Sequence, residues 1–459
     1  MWTKIPKIET GKDLEGRILV MPVAKNEGKA REMLGNTPVE DDFYEGKPRM
    51  IEYKNKIIIA IGVKGKKDAR KFGSIAWKAI EGGLGPVKFH LVPDFLEENK
   101  VLEGALLTSY KFSRHLTKRE EKPWIVFHGS QDIVNEVTTK IKGVFIARDL
   151  SNEPPNIIYP ESLAERVVSL FEGTGVDVEI HNYDWLLKNG FGGIVSVGKG
   201  SKNKPALIIL KYLPKGEKPV LIEGKGISFD AGGINLKPTG YIETMKMDMS
   251  GAAVVVGTIF NLVKLGIKKD VIGIIPTAEN MPGGEATRPS DVVKMYNKKT
   301  VEVWNTDAEG RMVLADGLAY GIERFKPSVT VDLATLTGAC VVALGEKIAG
   351  LLGNDQDTID EFMKVSKEVE EETWPLPMSD HFAELLKSDV ADVRNSADKG
   401  YGGATLGAKF LENFVEGKWV HIDIAGPADT KAEWLWNNKG GTGFGVRLMT
   451  EWIKRRKTE

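Results

Sequence analysis

The stretch "NTDAEGRM" at positions 305–312 sets Asp307, Glu309 and Arg311 two residues apart, with Gly310 between acid and base. Taken alone, two acids ahead of "MVLADGLAYGIERF" suit the positive end of a helix whose apolar residues recur with a helical period. A second cluster, "GKGISFDAGGINLKPTGYIETMKMDMSGAA", carries Lys225, Asp230, Lys237, Lys246 and Asp248 directly behind an apolar run. Charges at the end of a buried strand are costly unless they find partners. Lysine–aspartate salt bridges would supply them. Gly224, Gly226, Gly232 and Gly233, however, also let the backbone approach something that is not a side chain.

Asp230, Asp248, Asp307 and Glu309 together make four carboxylates, the donor set that two divalent ions about 3.5–4 Å apart require. Asp230 and Glu309 could bridge the ions. Lys225 could join them as a neutral amine, because a nearby metal lowers its pKa, while Lys237 stays charged as an electrostatic clamp. Other hydrolytic and nucleotide machines are missing: there is no G-x-S-x-G, H-E-x-x-H, paired C-x-x-C or G-x-x-x-x-G-K-[ST]. The histidines are His90, His115, His128, His181, His381 and His421, and none lies between 182 and 380. A site there must work with carboxylates, lysines and an arginine.

The elements that must position these residues have an α/β rhythm. Up to about residue 130, apolar runs ("RILVMPVA", "KIIIAIGV", "VKFHLVP", "PWIVFH") alternate with helical stretches such as "DARKFGSIAWKAIEGGL". A connecting helix is expected over 135–152, ending before Pro154 and Pro155. Beyond it, four apolar strands run into glycine-rich turns: "PVLIEGKGISFDAGG", "DVIGIIPTAENMPGGEATRP", "SVTVDLATLTGA" and "WVHIDIAGPA". In open α/β sheets ligands sit outside the carboxyl ends of the strands, so these four ends point to one shared edge. At 459 residues and 42% apolar, the chain can bury more than one core. Lys and Arg (63) nearly balance Asp and Glu (64), which gives no global footprint for nucleic acid or an anionic membrane. A single cysteine, Cys340, rules out an internal disulfide and suits a reducing cytoplasm; it reads as a buried apolar residue. No signal peptide or membrane span is expected.

The order Lys225, Asp230, Lys237, Asp248 and then "NTDAEGRM" resembles the leucyl (cytosol) aminopeptidase family of dinuclear metallopeptidases. The likeness extends through "RDLSNEPPNIIYP", "PTAENMPGGEATRPSDVV", "DLATLTGACVVALG", "NSADKGYGGATLGAKFL", "HIDIAGPA" and "GGTGFGVRL". In the first ~130 residues it rests on order and length alone. The resemblance implies two α/β domains, with a smaller macro-like domain over 1–134. The connecting helix and the catalytic domain take 135–459, with a mixed, mostly parallel central sheet flanked by helices. It also implies that one metal is held by Asp230, Asp307 (side chain and main-chain carbonyl) and Glu309, and the second by Lys225, Asp230, Asp248 and Glu309. Zinc, manganese, magnesium and cobalt all suit such a site. A bridging water or hydroxide would attack the peptide, whose free α-amine ligates one metal, and Lys237 would stabilise the oxyanion. Arg311 would hold a bicarbonate acting as general base. Met245, Thr335, Gly338, Ala425 and Ala428 would line the pocket for a first side chain such as Leu, with backbone at Leu336 and Gly338 bonding the substrate. Met312 stands where leucine is the usual residue. A cytoplasmic homohexamer acting on peptides with a free N-terminus is the implied assembly and partner.

Two rival functions are open to these residues. Another two-metal hydrolase, a phosphatase or nuclease, would use the carboxylates, though a lysine ligand is odd there and phosphate would want more arginines. Some members of the resembled family also bind DNA. The candidate basic runs are Lys64–Lys71, "SRHLTKR" around Arg114, and Lys454–Lys457, each interleaved with or followed by acids as on a solvated face.

Overall fold

The computed structural model describes residues 2–11, 18–25, 41–53, 55–84, 87–118, 121–398 and 401–456. Arg119, Lys399, Gly400 and Lys457, from the runs quoted above, lie outside the described residues. The chain divides into two compact units, Met1–Phe145 with Lys431–Lys439, and Ile146–Thr430 with Gly440–Glu459. The helix Gln131–Asn152 carries the chain from the first unit into the second.

In the first unit the apolar runs become six strands: β1 (Ile8–Thr10), β2 (Ile18–Val23), β3 (Pro48–Tyr53), β4 (Lys56–Gly62), β5 (Lys88–Leu91) and β6 (Trp124–Phe127). They form one sheet in the order β1-β6-β5-β2-β4-β3, parallel except for the β3/β4 pair. β2 is buried along its whole length, as a central parallel strand must be. Leu19, Met21, Val23, Phe43, Ile58, Ala60 and Val92 close a core around it.

The second unit is built on a mixed sheet. Its strands are β7 (Asp177–His181), β8 (Ala206–Tyr212), β9 (Val220–Gly224), β10 (Gly226–Asp230) and β11 (Val271–Asn280). A short three-stranded sheet follows from β12 (Val292–Lys294) and β13 (Thr300–Glu302), joined later by β17 (Val393–Arg394). The main sheet is completed by β14 (Val329–Ala334), β15 (Ala349–Gly353), β16 (Thr373–Pro375) and β18 (Trp419–Asp423). Its order is β16-β15-β18-β14-β9-β11-β8-β7, with β10 also pairing β11. β9, β10, β11, β14 and β18 run parallel, and β7, β8 and β15 supply the antiparallel pairs. The fold is therefore two-unit α/β, and the second unit's sheet is mixed and mostly parallel. Helices Ser250–Lys264 and Gly310–Phe325 both pack on β9 and β11. The helical stretch Ile242–Lys264 has the length and hydropathy of a membrane span, but 78% of its apolar window is buried inside the protein, as in a core helix.

One sequence expectation changes here. "PVLIEGKGISFDAGG" reads as a single strand, yet it forms two, β9 and β10, interrupted at Lys225. β9 pairs with the first half of β11 and β10 with its last four residues. At the break the chain runs so close to the following helix that a Cβ on Gly224 would sit 2.3 Å from the Gly251 carbonyl oxygen. Glycine permits that detour, and the detour presents Lys225 at the strand end. A register irregularity between Ile227 and Phe229 then re-aims Asp230.

Candidate functional site

The parallel strands bring their carboxyl ends to one edge, and each delivers a polar residue there. Lys225 follows β9, Asp230 ends β10, Asn280 ends β11, Thr335 follows β14 and Asp423 ends β18. Asp248 arrives by a 3₁₀ turn, Ile242–Met247, just ahead of the helix Ser250–Lys264. Glu309 occupies the N-cap of the helix Gly310–Phe325, but its side chain makes no capping hydrogen bond. It faces the cluster instead. "DAEGR" is thus a helix start and a site at once, and the helix's positive end stabilises the carboxylates gathered there.

The six charged residues interlock. Lys225 Nζ lies 2.7 Å from Asp248 Oδ2 and 2.8 Å from Glu309 Oε1, and donates to the Thr335 carbonyl at 3.1 Å. Lys237 Nζ lies 2.8 Å from Asp230 Oδ2 and 2.7 Å from Asp307 Oδ1. Asp230, Asp307 and Glu309 each place one carboxylate oxygen within 4.8 Å of the others. Lys225, Asp248, Asp230 and Glu309 are buried; Lys237 is partly exposed, and Asp307, its side chain 32% exposed, is the most open of the six. The glycine between acid and base has a steric reason: a Cβ on Gly310 would lie 2.6 Å from Lys225 Cε and 2.7 Å from its Nζ. Gly232 adopts φ +87°, where L side chains are strained, and a Cβ there would meet Asp307 Oδ1 at 2.9 Å.

Four carboxylates confront two ammoniums, so the cluster is short of positive charge. Burial, with Glu309 adding to it, pushes Asp230 up to about 6. Burial also drives Asp248 well above the usual carboxylate range and, with Glu309, raises Asp307. Burial opposes the charge on Glu309 too, but Lys225 and Lys237 outweigh it and hold its pKa low. Both lysines are also penalised by burial, yet the surrounding carboxylates keep them above the ordinary lysine value. A buried set of hard oxygen donors with excess negative charge, plus one amine, fits divalent cations by its own chemistry.

Arg311 is 7% exposed and donates from Nη1 to the Asn395 carbonyl at 2.8 Å. Its Nε has no hydrogen-bond partner among the described residues. Burial pulls its pKa down to about 10, against the pull of Glu309 and Asp423. It remains a cation with a donor to spare, as an anion holder needs.

The pocket residues divide. Thr335 donates to Asp248 Oδ1 at 2.8 Å, tying the predicted pocket to the charged cluster. The main-chain N–H groups of Leu336 and Ala425 both donate to Asp423 Oδ1, at 3.2 and 3.1 Å. The Leu336 N–H is thereby engaged within the protein. Gly338, exposed, opens the helix Gly338–Leu344 behind the N-cap Thr337. Met245 is half-buried in the 3₁₀ turn before Asp248. Ala428 is buried, bonded by its main chain to Ile424 and Thr442. Cys340 is a buried free thiol pushed up to about 12 by burial and then Asp423. Met312 packs into the core with Leu314, Leu318 and Leu406.

Sequence reasoning missed the neutral residues that hold the charged ones. Asn280 donates from Nδ2 to Asp230 Oδ1 at 2.8 Å and to the Thr306 carbonyl at 3.0 Å. Thr306 Oγ1 donates to the Gly232 carbonyl and accepts from the Asn235 N–H, joining the two charged segments. Asn395 braces the Arg311 segment in the same way, and the carboxylate of Asp423 braces the Leu336 segment. Asn280 and Asn395 stand inside segments already marked by their glycines, but no spacing rule exists for such neutral braces.

Strand-end carboxylates and lysines at the edge of a mostly parallel α/β sheet define a metal-dependent hydrolase. Residues 145–450 match the cytosol aminopeptidase family, catalytic domain. A "Probable cytosol aminopeptidase" of Persephonella marina is 43% identical over 365 residues, 77% of this chain and 73% of that protein. The one from Chlorobaculum tepidum is 40% identical over 441 residues, 87% of this chain and 86% of the relative. Among solved structures, the cytosol aminopeptidase of Coxiella burnetii superposes with a TM-score of 0.88 at 29% identity, over 98% of this chain and 99% of that one. Bottromycin maturation enzyme BotP, in complex with Mn, gives 0.86 at 29% identity over 95% and 99%. The chain belongs to the cytosol aminopeptidase family and is a metal-dependent exopeptidase.

Proposed function

We propose that this chain releases N-terminal leucine and other apolar residues from peptides, with Asp230, Asp307 and Glu309 holding one divalent cation and Lys225, Asp230, Asp248 and Glu309 a second. The observation that carries this reading is the convergence of the Asp230, Asp307 and Glu309 oxygens within 4.8 Å, with Lys225 wedged between Asp248 and Glu309. When bound, such a pair of ions supplies a water activated near neutral pH and polarises the scissile carbonyl. Everything else falls to the chain's own residues. Lys225 would become a neutral ligand by giving up the proton its carboxylates now retain. Lys237, partly open at the cluster's rim, would stay charged and stabilise the oxyanion. Arg311 would orient a bicarbonate that takes the attacking proton, since the site holds no histidine. Thr335, Leu336, Gly338 and Ala425, with Met245 and Ala428, would receive the first side chain.

Zinc and manganese are the ions we propose, the latter also bound by BotP. A macro-like domain over 1–134, a connecting helix and catalytic domain over 135–459, a homohexameric assembly and a cytoplasmic location belong to the same reading. Pairing with acids within two of the basic runs weighs against a DNA-binding role. Lys64 pairs with Glu45 at 2.6 Å, and Arg455 and Arg456 pair with Glu368 and Glu361.

The test is hydrolysis of Leu-p-nitroanilide beside its N-acetylated form, after chelation and again with Mn²⁺ or Zn²⁺ restored. Cleavage of the free-amine substrate alone, lost on chelation and recovered with metal, is the expected outcome. Equal cleavage of the acetylated form would sink the N-terminal amine as a recognition element.

A further inference from the structure

We infer that Asn395 is a positioning residue that fixes the geometry of the Asp307–Glu309 segment and of Arg311 together. It rests on the assignment of Asp307 and Glu309 as metal ligands. Asn395 is wholly buried and follows β17, which pairs in parallel with β13; its own N–H donates to the Glu302 carbonyl at 3.0 Å. From that anchor its side chain reaches across the loop leading from β13 to the site. Oδ1 accepts from the Trp304 and Asn305 N–H groups at 2.8 and 3.2 Å. Nδ2 donates to the Asn305 and Ala308 carbonyls at 2.7 and 3.3 Å.

All four hydrogen-bonding positions of the amide are thereby used. They fall on both sides of Asp307 and on the residue next to Glu309. The Asn395 carbonyl also accepts from Arg311 Nη1. One residue therefore sets the loop that carries two carboxylates and the arginine that follows them. A purely space-filling asparagine would leave these groups to other partners. Here the amide joins the ends of a segment whose side chains must meet within a few ångströms, so its loss should act on metal binding more than on folding. Outer partners of this kind typically change metal affinity by about 10–100-fold.

The chemistry of the amide designs the variant. Asn395→Asp keeps the shape and both acceptor bonds, but turns an oxygen toward the two carbonyls that Nδ2 now serves. Metal-free wild type, Asn395→Asp, Asn395→Ser and Asp307→Ala are titrated with Mn²⁺ by calorimetry. The spin-coupled Mn signal is followed by electron paramagnetic resonance, and Tm is recorded for each. The expected result is Mn²⁺ binding weakened roughly 10–100-fold in Asn395→Asp, with the coupled signal lost and the apo protein still folding cooperatively. Asn395→Ser, with room for water in place of the amide, gives the same answer if the aspartate variant does not fold. If Asp307→Ala loses metal while the folded Asn395 variants bind Mn²⁺ as wild type does, the positioning role is overturned. If Asp307→Ala itself binds both ions normally, the ligand assignment fails first, and this inference with it.

Discussion

Two groups of buried charges share the catalytic sheet, and they are built on opposite principles. In mid-strand, Asp332 on β14 faces His421 on β18 in direct register. Its Oδ1 lies 2.6 Å from His421 Nδ1, its Oδ2 accepts from Trp419 Nε1 at 2.7 Å, and all three residues are fully buried. Burial would strip the charge from His421, but Asp332 outweighs it and raises the imidazole's pKa. One carboxylate faces one imidazole, and both carboxylate oxygens have a donor. At the strand ends, four carboxylates share two lysines and several are driven toward holding protons. The mid-strand pair satisfies its carboxylate internally, although His421 Nε2 has no hydrogen-bond partner among the described residues. The buried Glu223, opposite Asp332 on β9, is driven well above the usual carboxylate range by burial and by that aspartate. The strand-end cluster is open, and charge from outside completes it.

If that contrast is right, the largest effects come from the open cluster. Asp307→Ala should abolish hydrolysis of Leu-p-nitroanilide and lose bound metal by elemental analysis; full turnover with both ions kept would refute the assignment. Lys237→Ala should retain metal while kcat falls by about 10³-fold, because an oxyanion-directed charge acts on the transition state. Loss of metal in that variant would make Lys237 part of the metal-holding framework instead. Arg311→Ala should be milder, about 10²-fold in kcat, with part of the rate restored by added bicarbonate. Indifference to bicarbonate would remove the anion-holder role.

The closed pair should behave in reverse. Asp332→Asn strips one partner from a buried ion pair and should cost roughly 3–5 kcal/mol of stability, read by denaturant unfolding. The activity and metal content of the folded fraction should be unchanged. Metal loss there would erase the distinction between the two groups. The smallest effect is in pH. Because the folded-state pKa of His421 is raised, its share of stability is complete below the ordinary histidine pKa and is lost as pH rises through the folded value. Tm should therefore fall more steeply in wild type than in His421→Gln on going from neutral to alkaline pH.

The residues that carry charge were legible in the sequence, because charged types stood out against apolar strands and fixed glycines. Lys225, Asp230, Lys237, Asp248, Asp307 and Glu309 could be gathered from two segments before any geometry was known. The α/β class followed from apolar runs alternating with helical stretches, and the shared edge from glycines at four strand ends. What one period cannot reveal is where a strand breaks: "PVLIEGKGISFD" stays apolar enough to read through Lys225, and only its two registers on β11 divide it.

Sequence by itself therefore determined the chemistry on offer: four carboxylates, two lysines and an arginine, with no histidine among them. The tertiary structure decided which of these face one another, since pairs such as Lys225–Glu309 and Lys237–Asp307 join residues some seventy to eighty-five positions apart through the packing of strand-end loops. It also decided which charges are closed and which stay open. Asp332 and Asp248 are the same residue type; one lies in mid-strand opposite an imidazole, the other after a 3₁₀ turn, sharing Lys225 with Glu309. Charge balance in a buried space is a property of neighbours, and neighbours across a sheet are fixed by packing and register, which no local pattern encodes.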